Sequence, residues 1–301
     1  MVETQARLDQ ALQEAQPRTS DPANTLAKSG YIVGETIGQG SFAVVKKAYW
    51  PRRNKTVAIK IMSKAQLKEQ VLNKYVQREL DAIRSLRHEH IINFYEIIET
   101  NMRIYIVMQY AENGSLLQLV RMKTKLTEAR VRRYYRQLID AIHYMHSRFI
   151  AHRDIKLDNI VLDKNDQVKL VDFGFSCRVR HDGNDQSSLV QPYLSESCCG
   201  SYAYASPEIL YFTKHDPIPT DIWASGVVVY ALLYGQLPFS NVKDAKIMRE
   251  IIGRGVKFPS TVKVTDEAKL LLKQIFVPVA QRIPVEIIKR SLWFHLELTE
   301  E

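Results

Sequence analysis

Beyond Gly30 the chain places its strand-like runs first and its helical runs afterwards, and this order restricts its fold more than any other feature. Tyr31–Ile37 is an extended run ending in glycines, Phe42–Trp50 is a second, and Thr56–Met62 is a third after the turn at Pro51–Lys55. Lys74–Leu86 carries Val76, Leu80, Ile83 and Leu86 on one helical face. Two more strands follow at Ile91–Thr100 and Ile104–Tyr110. From about Glu112 the periodicity is helical, over 115–123, 127–147, 219–234, 244–252, 265–276 and 284–291. Alternating βαβ units would favour a parallel sheet, whereas strands followed by helices predict an α+β chain of two lobes. No internal repeat is visible.

The 301 residues suffice for such a pair of lobes, and 46% hydrophobic with 25% charged residues excludes wholesale disorder. Lys+Arg 42 against Asp+Glu 33 leaves a net charge of +9, which fits nucleic acid, an acidic membrane or a phosphate-rich ligand equally well. Cys177, Cys198 and Cys199 are too few for a disulfide framework, contain no CxxC pair for structural zinc, and suit a reducing compartment. The N-terminus has no apolar core of a secretory signal, Val2 excludes myristoylation, and Thr-Glu-Glu is no prenylation site. The longest apolar stretch, Ile222–Tyr234, is short of the ~18 residues a membrane span needs and reads as a buried helix. Residues 1–30 read as an N-terminal extension, either a short helix around Leu8, Ala11, Leu12 and Ala15 or a flexible tail, with Arg18–Asn24 as a linker.

Four motifs carry chemistry. Gly38-Gln39-Gly40-Ser41-Phe42-Ala43-Val44-Val45 is a glycine-rich turn between strands, whose backbone N–H groups can approach phosphates; a plain glycine hairpin is the alternative. Ala43 stands where the usual pattern has a third glycine, and Val45 is placed to pack on a flat base. Val57-Ala58-Ile59-Lys60 ends a strand in a flexible point charge beside that turn, and Glu79, 19 residues on, is placed to hold it; a solvent-facing lysine and a solvated glutamate are the plainer readings. In His152-Arg153-Asp154-Ile155-Lys156-Leu157-Asp158-Asn159, Asp154 can orient a hydroxyl and accept its proton, Lys156 can neutralise a phosphoryl group, and Asn159 offers an oxygen for Mg²⁺. Asp172-Phe173-Gly174 follows the apolar strand Val168–Val171, 13 residues after Asn159, and its carboxylate can bridge Mg²⁺ to phosphate.

With these four motifs in order, Tyr31–Phe294 strongly resembles the eukaryotic protein kinases. Later landmarks agree with the resemblance. Ser206-Pro207-Glu208 stands for the usual Ala-Pro-Glu, Asp221-Ile-Trp223-Ala-Ser-Gly226 matches the family's buried helix, and Arg282 lies where the partner of Glu208 belongs. The resemblance implies a bilobal kinase fold. A five-stranded antiparallel sheet with one main helix would span 31–110, a larger mainly helical lobe 111–294, an ATP cleft would lie between them, and a short tail would cover 295–301. It implies Lys60 paired with Glu79 on the α- and β-phosphates, Asp154 as base, and Asn159 and Asp172 on Mg²⁺, with Mn²⁺ as an alternative ion. ATP contacts would come from Ile37, from Gly38 through Val45, and from Ala58, Lys60, Met108, Gln109, Ala111, Leu116 and Val161, with Met108 as gatekeeper and Gln109–Ala111 as hinge. Phe173, His152, Ile83 and Phe94 would form the stack that reports the active state.

Lys156 two residues after Asp154, with Ser201 in Cys-Gly-Ser-Tyr, is the pattern of serine/threonine rather than tyrosine kinases. Gly-Ser-Phe-Ala-Val-Val, Asp-Phe-Gly-Phe-Ser and Cys-Gly-Ser-Tyr-Ala-Tyr-Ala-Ser-Pro-Glu are similar to the testis-specific kinases of the calcium/calmodulin-dependent group. That similarity implies signalling in spermatogenesis or sperm function, and a cytoplasmic, nuclear or sperm-associated place. No calmodulin-target helix follows Phe294. From Asp172 to Glu208 runs a 37-residue segment in which Ser197 is the expected phosphorylation site, by an upstream kinase or by the chain itself, with Arg153 as the partner of its phosphate and Ser195 as the next candidate. Redox control at Cys198 and Cys199 is an alternative. Ser115 replaces the acidic residue that receives a substrate arginine in basophilic relatives, leaving Asp158, so weak arginine selection is expected. The partners implied are protein substrates, with no nucleic acid and no membrane, for a monomeric enzyme. The rival reading is a pseudokinase scaffold, which usually lacks one of Lys60, Glu79, Asp154, Asn159 or Asp172; all are present here.

Overall fold

A computed structural model describes residues 22–40, 43–66, 84–122, 126–179, 202–212, 214–239 and 244–297. The chain divides into two units, Met1–Lys68 with Tyr95–Tyr110, and Glu69–Phe94 with Ala111–Glu301.

The first unit is built on a five-stranded antiparallel sheet of β1 (Ile32–Gln39), β2 (Ala43–Trp50), β3 (Lys55–Ser63), β4 (Phe94–Glu99) and β5 (Arg103–Gln109), in the order β1-β2-β3-β5-β4. β3 lies between β2 and β5, with Lys60 opposite Val45 and Ile106, and Ala58 opposite Lys47 and Met108. Alternation along β3 sends Val57, Ile59 and Ile61 to one face and Ala58, Lys60 and Met62 to the other. The first face forms the unit's core with Ala48, Tyr105 and Val107.

That core is completed by a helix that the sequence reading missed. Arg18–Asn24 reads as a linker, yet Pro22–Lys28 is helical (α1), and Leu26 and Tyr31 are fully buried against the sheet. Pro22 stands at the start, where its missing N–H costs nothing. At the other end Gly30 sits at φ +87°, its N–H donates to Ala27 O at 2.9 Å, and Tyr31 N–H donates to Leu26 O at 2.9 Å. This is the paired closure of a helix by a left-handed glycine, with Tyr31 and Leu26 making the apolar contact that accompanies it. Tyr31 continues into a chain of rings, 5.3 Å from Trp50, which is 5.9 Å from Tyr95. The helix expected at Lys74–Leu86 lies outside the described residues except for its last turn.

The second unit is mainly helical. Its longer helices are α2 (Leu116–Met122), α3 (Glu128–His146), α5 (Ile218–Tyr234), α6 (Ala245–Gly253), α7 (Asp266–Ile275) and α8 (Val285–Arg290), within two residues of the expected ranges; α4 (Pro207–Leu210) and α9 (Leu292–His295) are single turns. Thr127 caps α3, and Val131, Tyr135, Leu138, Ile142 and Met145 recur at helical spacing on its buried side. Helix α5 is buried from Thr220 to Tyr234, as the apolar run Ile222–Tyr234 predicts. Gly226 lets α7 approach it, since a Cβ there would lie 2.5 Å from Ile275 Cγ2. Short ribbons complete the unit: β6 (Ile150–Ala151) pairs with β9 (Cys177–Arg178), and β7 (Ile160–Leu162) with β8 (Val168–Leu170). No described helix is long and apolar enough to cross a membrane.

Candidate functional site

Among the described residues, the loop between β6 and β7 gathers a dense set of polar contacts. His152 is fully buried. Its Nδ1 accepts the Asp154 N–H at 3.2 Å, so Nε2 carries the proton and donates to Val171 O at 3.0 Å. Its ring meets Phe173 edge-on at 5.1 Å, and Phe173 meets Phe94 at 6.0 Å. Three of the four residues expected to stack are thus together; Ile83 lies outside the described residues.

Asp154 projects from this loop with one-tenth of its side chain exposed. Lys156 Nζ donates to its two carboxylate oxygens at 3.0 and 2.7 Å, and Asn159 Nδ2 donates to Oδ2 at 2.8 Å and to Asp154 O at 2.8 Å. Burial pushes the Asp154 carboxyl above the ordinary carboxylate range; the charge and hydrogen bonds of Lys156 pull the other way, and the negative charge of Asp172 adds to the rise. Asp172 follows β8 at φ +64°, and its neighbour Val171 donates its N–H to Asn159 O at 2.9 Å. The hairpin β7–β8 therefore brings Asn159 and Asp172 to the same end of one ribbon.

The loop is held from below by α5. Asp221, 2% exposed, accepts the His152 N–H on Oδ2 at 2.8 Å and the Arg153 N–H on Oδ1 at 2.8 Å, and His146 Nε2 meets Oδ2 at 3.0 Å. Arg153 has φ +69°, a left-handed conformation that costs an L-residue about 1–2 kcal/mol. The Asp221 carboxylate is what holds it there. Sequence reading placed Asp221 by motif but gave no part to His146, whose partner lies 75 residues away and which no local pattern marks.

Glu208 and Arg282 form the expected pair, NH1–Oε1 at 2.6 Å and NH2–Oε2 at 3.1 Å, with both side chains buried. Arg282 also donates to Pro219 O and Val277 O and lies over the Trp223 ring at 5.0 Å. Burial pushes the Glu208 carboxyl up, but the hydrogen bonds and charge of Arg282 outweigh it and hold the group below the ordinary carboxylate range.

In the first unit, Gly38 is paired with Val45, Gln39 with Val44, and Gly40 N–H donates to Ala43 O at 2.8 Å. A Cβ at Gly38 or Gly40 would meet nothing closer than 3.6 Å, and neither has positive φ, so the strands themselves do not demand these glycines. Val45, Ala58, Lys60 and Met108 share the sheet face opposite α1. Ile37 is more than one-third exposed on β1, and Gln109 ends β5 opposite Val57. In the second unit Ser115, just before the buried Leu116, bridges to Val161, beyond Ala111. Ser41, Phe42, Glu79, Ser195, Ser197, Cys198, Cys199 and Ser201 lie outside the described residues.

A family model described as protein kinase domain matches residues 31–294. Testis-specific serine/threonine-protein kinase 4 of Homo sapiens is 35% identical over 288 residues, covering 93% of this chain and 87% of that protein. Testis-specific serine/threonine-protein kinase 2 of Mus musculus is 38% identical over 275 residues, 91% of this chain and 75% of that protein. The SNF1-related protein kinase catalytic subunit alpha KIN12 of Arabidopsis thaliana is 37% identical over 268 residues, 89% of this chain and 52% of that protein.

Proposed function

The chain belongs to the protein kinase family and is a protein serine/threonine kinase, and from that premise we propose that Asp154 is the base through which it phosphorylates serine and threonine side chains of protein substrates, with ATP as donor. The observation that carries this reading is the buried Asp154 carboxylate gripped by Lys156 and Asn159 beside Asp172. Phosphoryl transfer asks little covalent chemistry of the protein and much positioning. Asp154 accepts a hydrogen bond from the attacking hydroxyl, orients it, and takes its proton. Its raised affinity for a proton suits that step, because a carboxylate near the ordinary range would be a weaker acceptor. Lys156 neutralises the phosphoryl oxygens. In this reading Lys60 grips the α- and β-phosphates with Glu79 as the partner the sequence implies, and the turn from Gly38 to Val45 would offer them backbone N–H groups; the glycines at 38 and 40, which the strands do not need, support that use.

The donor set fits a cation shared with phosphate. Asn159 spends its amide N–H groups on Asp154, so its Oδ1 is the atom that would meet a cation, and Asp172 would add one carboxylate. Among the described residues no three His, Cys, Asp or Glu side chains gather into a cage of their own. One amide and one carboxylate suit Mg²⁺ that completes its shell with phosphate and water, and Mn²⁺ would be held alike. Such an ion would supply charge neutralisation at the phosphate oxygens.

In this reading the apolar residues assigned to adenine are Val45, Ala58, Leu116 and Val161 with Ile37, the gatekeeper is Met108, and Gln109 and Ala111 read the adenine edge. Phosphorylation of Ser197 would pair with Arg153 and switch the enzyme on, next to Ser201, which receives the substrate. The names of the testis-specific relatives support a role in sperm formation or function. The test is incubation with ATP, Mg²⁺ and a generic basic protein, comparing Asp154→Asn with the native chain. A loss of about 10²–10⁴-fold is expected for a removed general base, and equal incorporation by both forms would overturn the assignment.

A further inference from the structure

Helix α4 ends in a place that folding alone does not explain. Tyr211 is 61% exposed and Phe212 is 56% exposed, side by side on the surface of the second unit. Phe212 has φ +55°, and its N–H donates to Ile209 O at 3.0 Å, so it occupies the closing position of a helical turn that normally falls to glycine. A bulky aromatic there strains the backbone, and its side chain gains little burial in return. Tyr211 is fixed as well. The guanidinium of Arg249 on α6 lies 5.1 Å over its ring while NH1 donates to Leu210 O at 2.7 Å. The result is two exposed aromatic side chains, with Arg249 against the Tyr211 ring and the exposed Lys214 three residues on from Tyr211.

Resting on the kinase reading, we propose that Tyr211 and Phe212 form a docking surface for protein substrates. The segment it takes carries an aliphatic or aromatic side chain flanked by carboxylates. Exposed strained residues persist where something other than packing holds them, and adjacent apolar rings on a soluble surface mark interaction sites. The charge of the patch selects the occupant, because Arg249 and Lys214 are cations and a basic segment would be repelled. The position selects the partner. Tyr204 Oη accepts the Leu157 N–H of the catalytic loop at 3.5 Å, and Tyr211 follows seven residues later. An extended chain spans at most about 3.6 Å per residue, so the backbones of Tyr211 and Phe212 lie within about 29 Å of that of Tyr204. A substrate that places its apolar-acidic segment about eight or more residues from its acceptor serine can therefore reach both.

The experiment compares four peptides on the full chain. One is a short serine acceptor peptide. The others carry the acceptor plus a flexible ten-residue spacer and Glu-Phe-Asp-Leu-Glu at the N-terminal end, the same segment at the C-terminal end, or its counterpart with lysines for the carboxylates at both ends. One acidic extension is expected to lower KM about tenfold with kcat unchanged, and the lysine form to give no such gain. Phe212→Gly and Tyr211→Ser should abolish the gain while keeping the kcat and KM of the short peptide. Phe212→Gly should also melt at the native temperature or above, because it relieves the backbone. The proposal is overturned if no acidic extension lowers KM, if the lysine form gains equally, or if the gain survives in both variants. If the native chain phosphorylates none of the peptides, the kinase reading fails, and fluorescence anisotropy of the labelled acidic segment then decides the docking surface alone. Binding lost in Phe212→Gly supports it, and absent or unchanged binding refutes it.

Discussion

Replacing Asp221 by Asn tests how the loop that carries Asp154 is held. The carboxylate accepts three donors, from His152 N, Arg153 N and His146 Nε2, and is 2% exposed. Asn is nearly isosteric but turns one acceptor into a donor. With Nδ2 toward Arg153, that N–H faces another donor; with the amide flipped, His152 and His146 do. A buried donor left without a partner costs about 1–3 kcal/mol, and the surviving bonds lose the assistance of charge, so the sum is about 2–5 kcal/mol. At roughly 2–4 °C per kcal/mol for a unit of this size, Tm should fall by about 5–15 °C. The effect on chemistry follows from Arg153. Its left-handed backbone stores about 1–2 kcal/mol, comparable to one hydrogen bond of the set that restrains it. With that restraint weakened Arg153 relaxes toward negative φ and carries Asp154 with it. A displacement near 1 Å can cost about 10²-fold, so kcat should drop by that order while the KM for ATP changes less than about threefold. Steady-state kinetics below the melting range, with thermal melts of both proteins, measure the two effects. An Asn variant that melts lower yet keeps kcat within about twofold would refute the coupling, and one unchanged in both would refute the support itself.

Other substitutions probe the remaining contacts. Glu208→Gln breaks a buried bidentate pair and should cost about 3–5 kcal/mol near neutral pH. Because Arg282 holds the Glu208 carboxyl below its ordinary range, the native advantage is full above the unfolded carboxyl value and is lost as pH falls through the folded one; denaturant melts at successive pH values should show the two proteins converging only in acid. Lys156→Met removes the charge that counters burial of Asp154, so the acid limb of the kcat/KM profile, already above the ordinary carboxylate range, should move to higher pH; a limb that stays or moves down contradicts the assignment. Leu26→Asp puts a charge into the core beneath α1 and should destabilise the first unit by at least about 2–5 kcal/mol, read as lost amide-exchange protection in β2 and β3; unchanged protection would mean that α1 contributes nothing to that core.

What the sequence made legible depends on how far apart the cooperating residues lie. Asp154, Lys156 and Asn159 fall within six positions, and their chemistry fixes residue type and spacing together, so the loop could be recognised before its geometry was known. The same holds for the buried helix α5, announced by an unbroken apolar run, and for the sheet face of Val57, Ile59 and Ile61, announced by alternation. Helix α1 failed for a different reason. It is seven residues long with Leu26 as its fully buried apolar anchor, too short for periodicity to register, and its stability comes from strands 20 to 80 residues away. Local punctuation did exist: Pro22 at the start, Gly30 and Tyr31 at the end.

His146 had no such mark, and this is the general difficulty with the support of a site. A residue that performs chemistry is confined to a few side chains at set distances. A residue that merely satisfies a buried carboxylate can be any donor that the fold delivers, here from the end of α3 to the middle of the second unit's core. Motifs therefore locate Asp154, while its position is set by Asp221, 67 residues on, through backbone N–H groups that every sequence possesses. Strain sharpens the point. Arg153 and Phe212 both stand at positive φ, and neither is marked by its letter. At Arg153 the balancing contact is visible in Asp221, whereas at Phe212 the helix-closing bond to Ile209 would serve glycine equally well. The proposed docking surface gives the aromatic side chain a use that burial, with 56% of Phe212 exposed, does not.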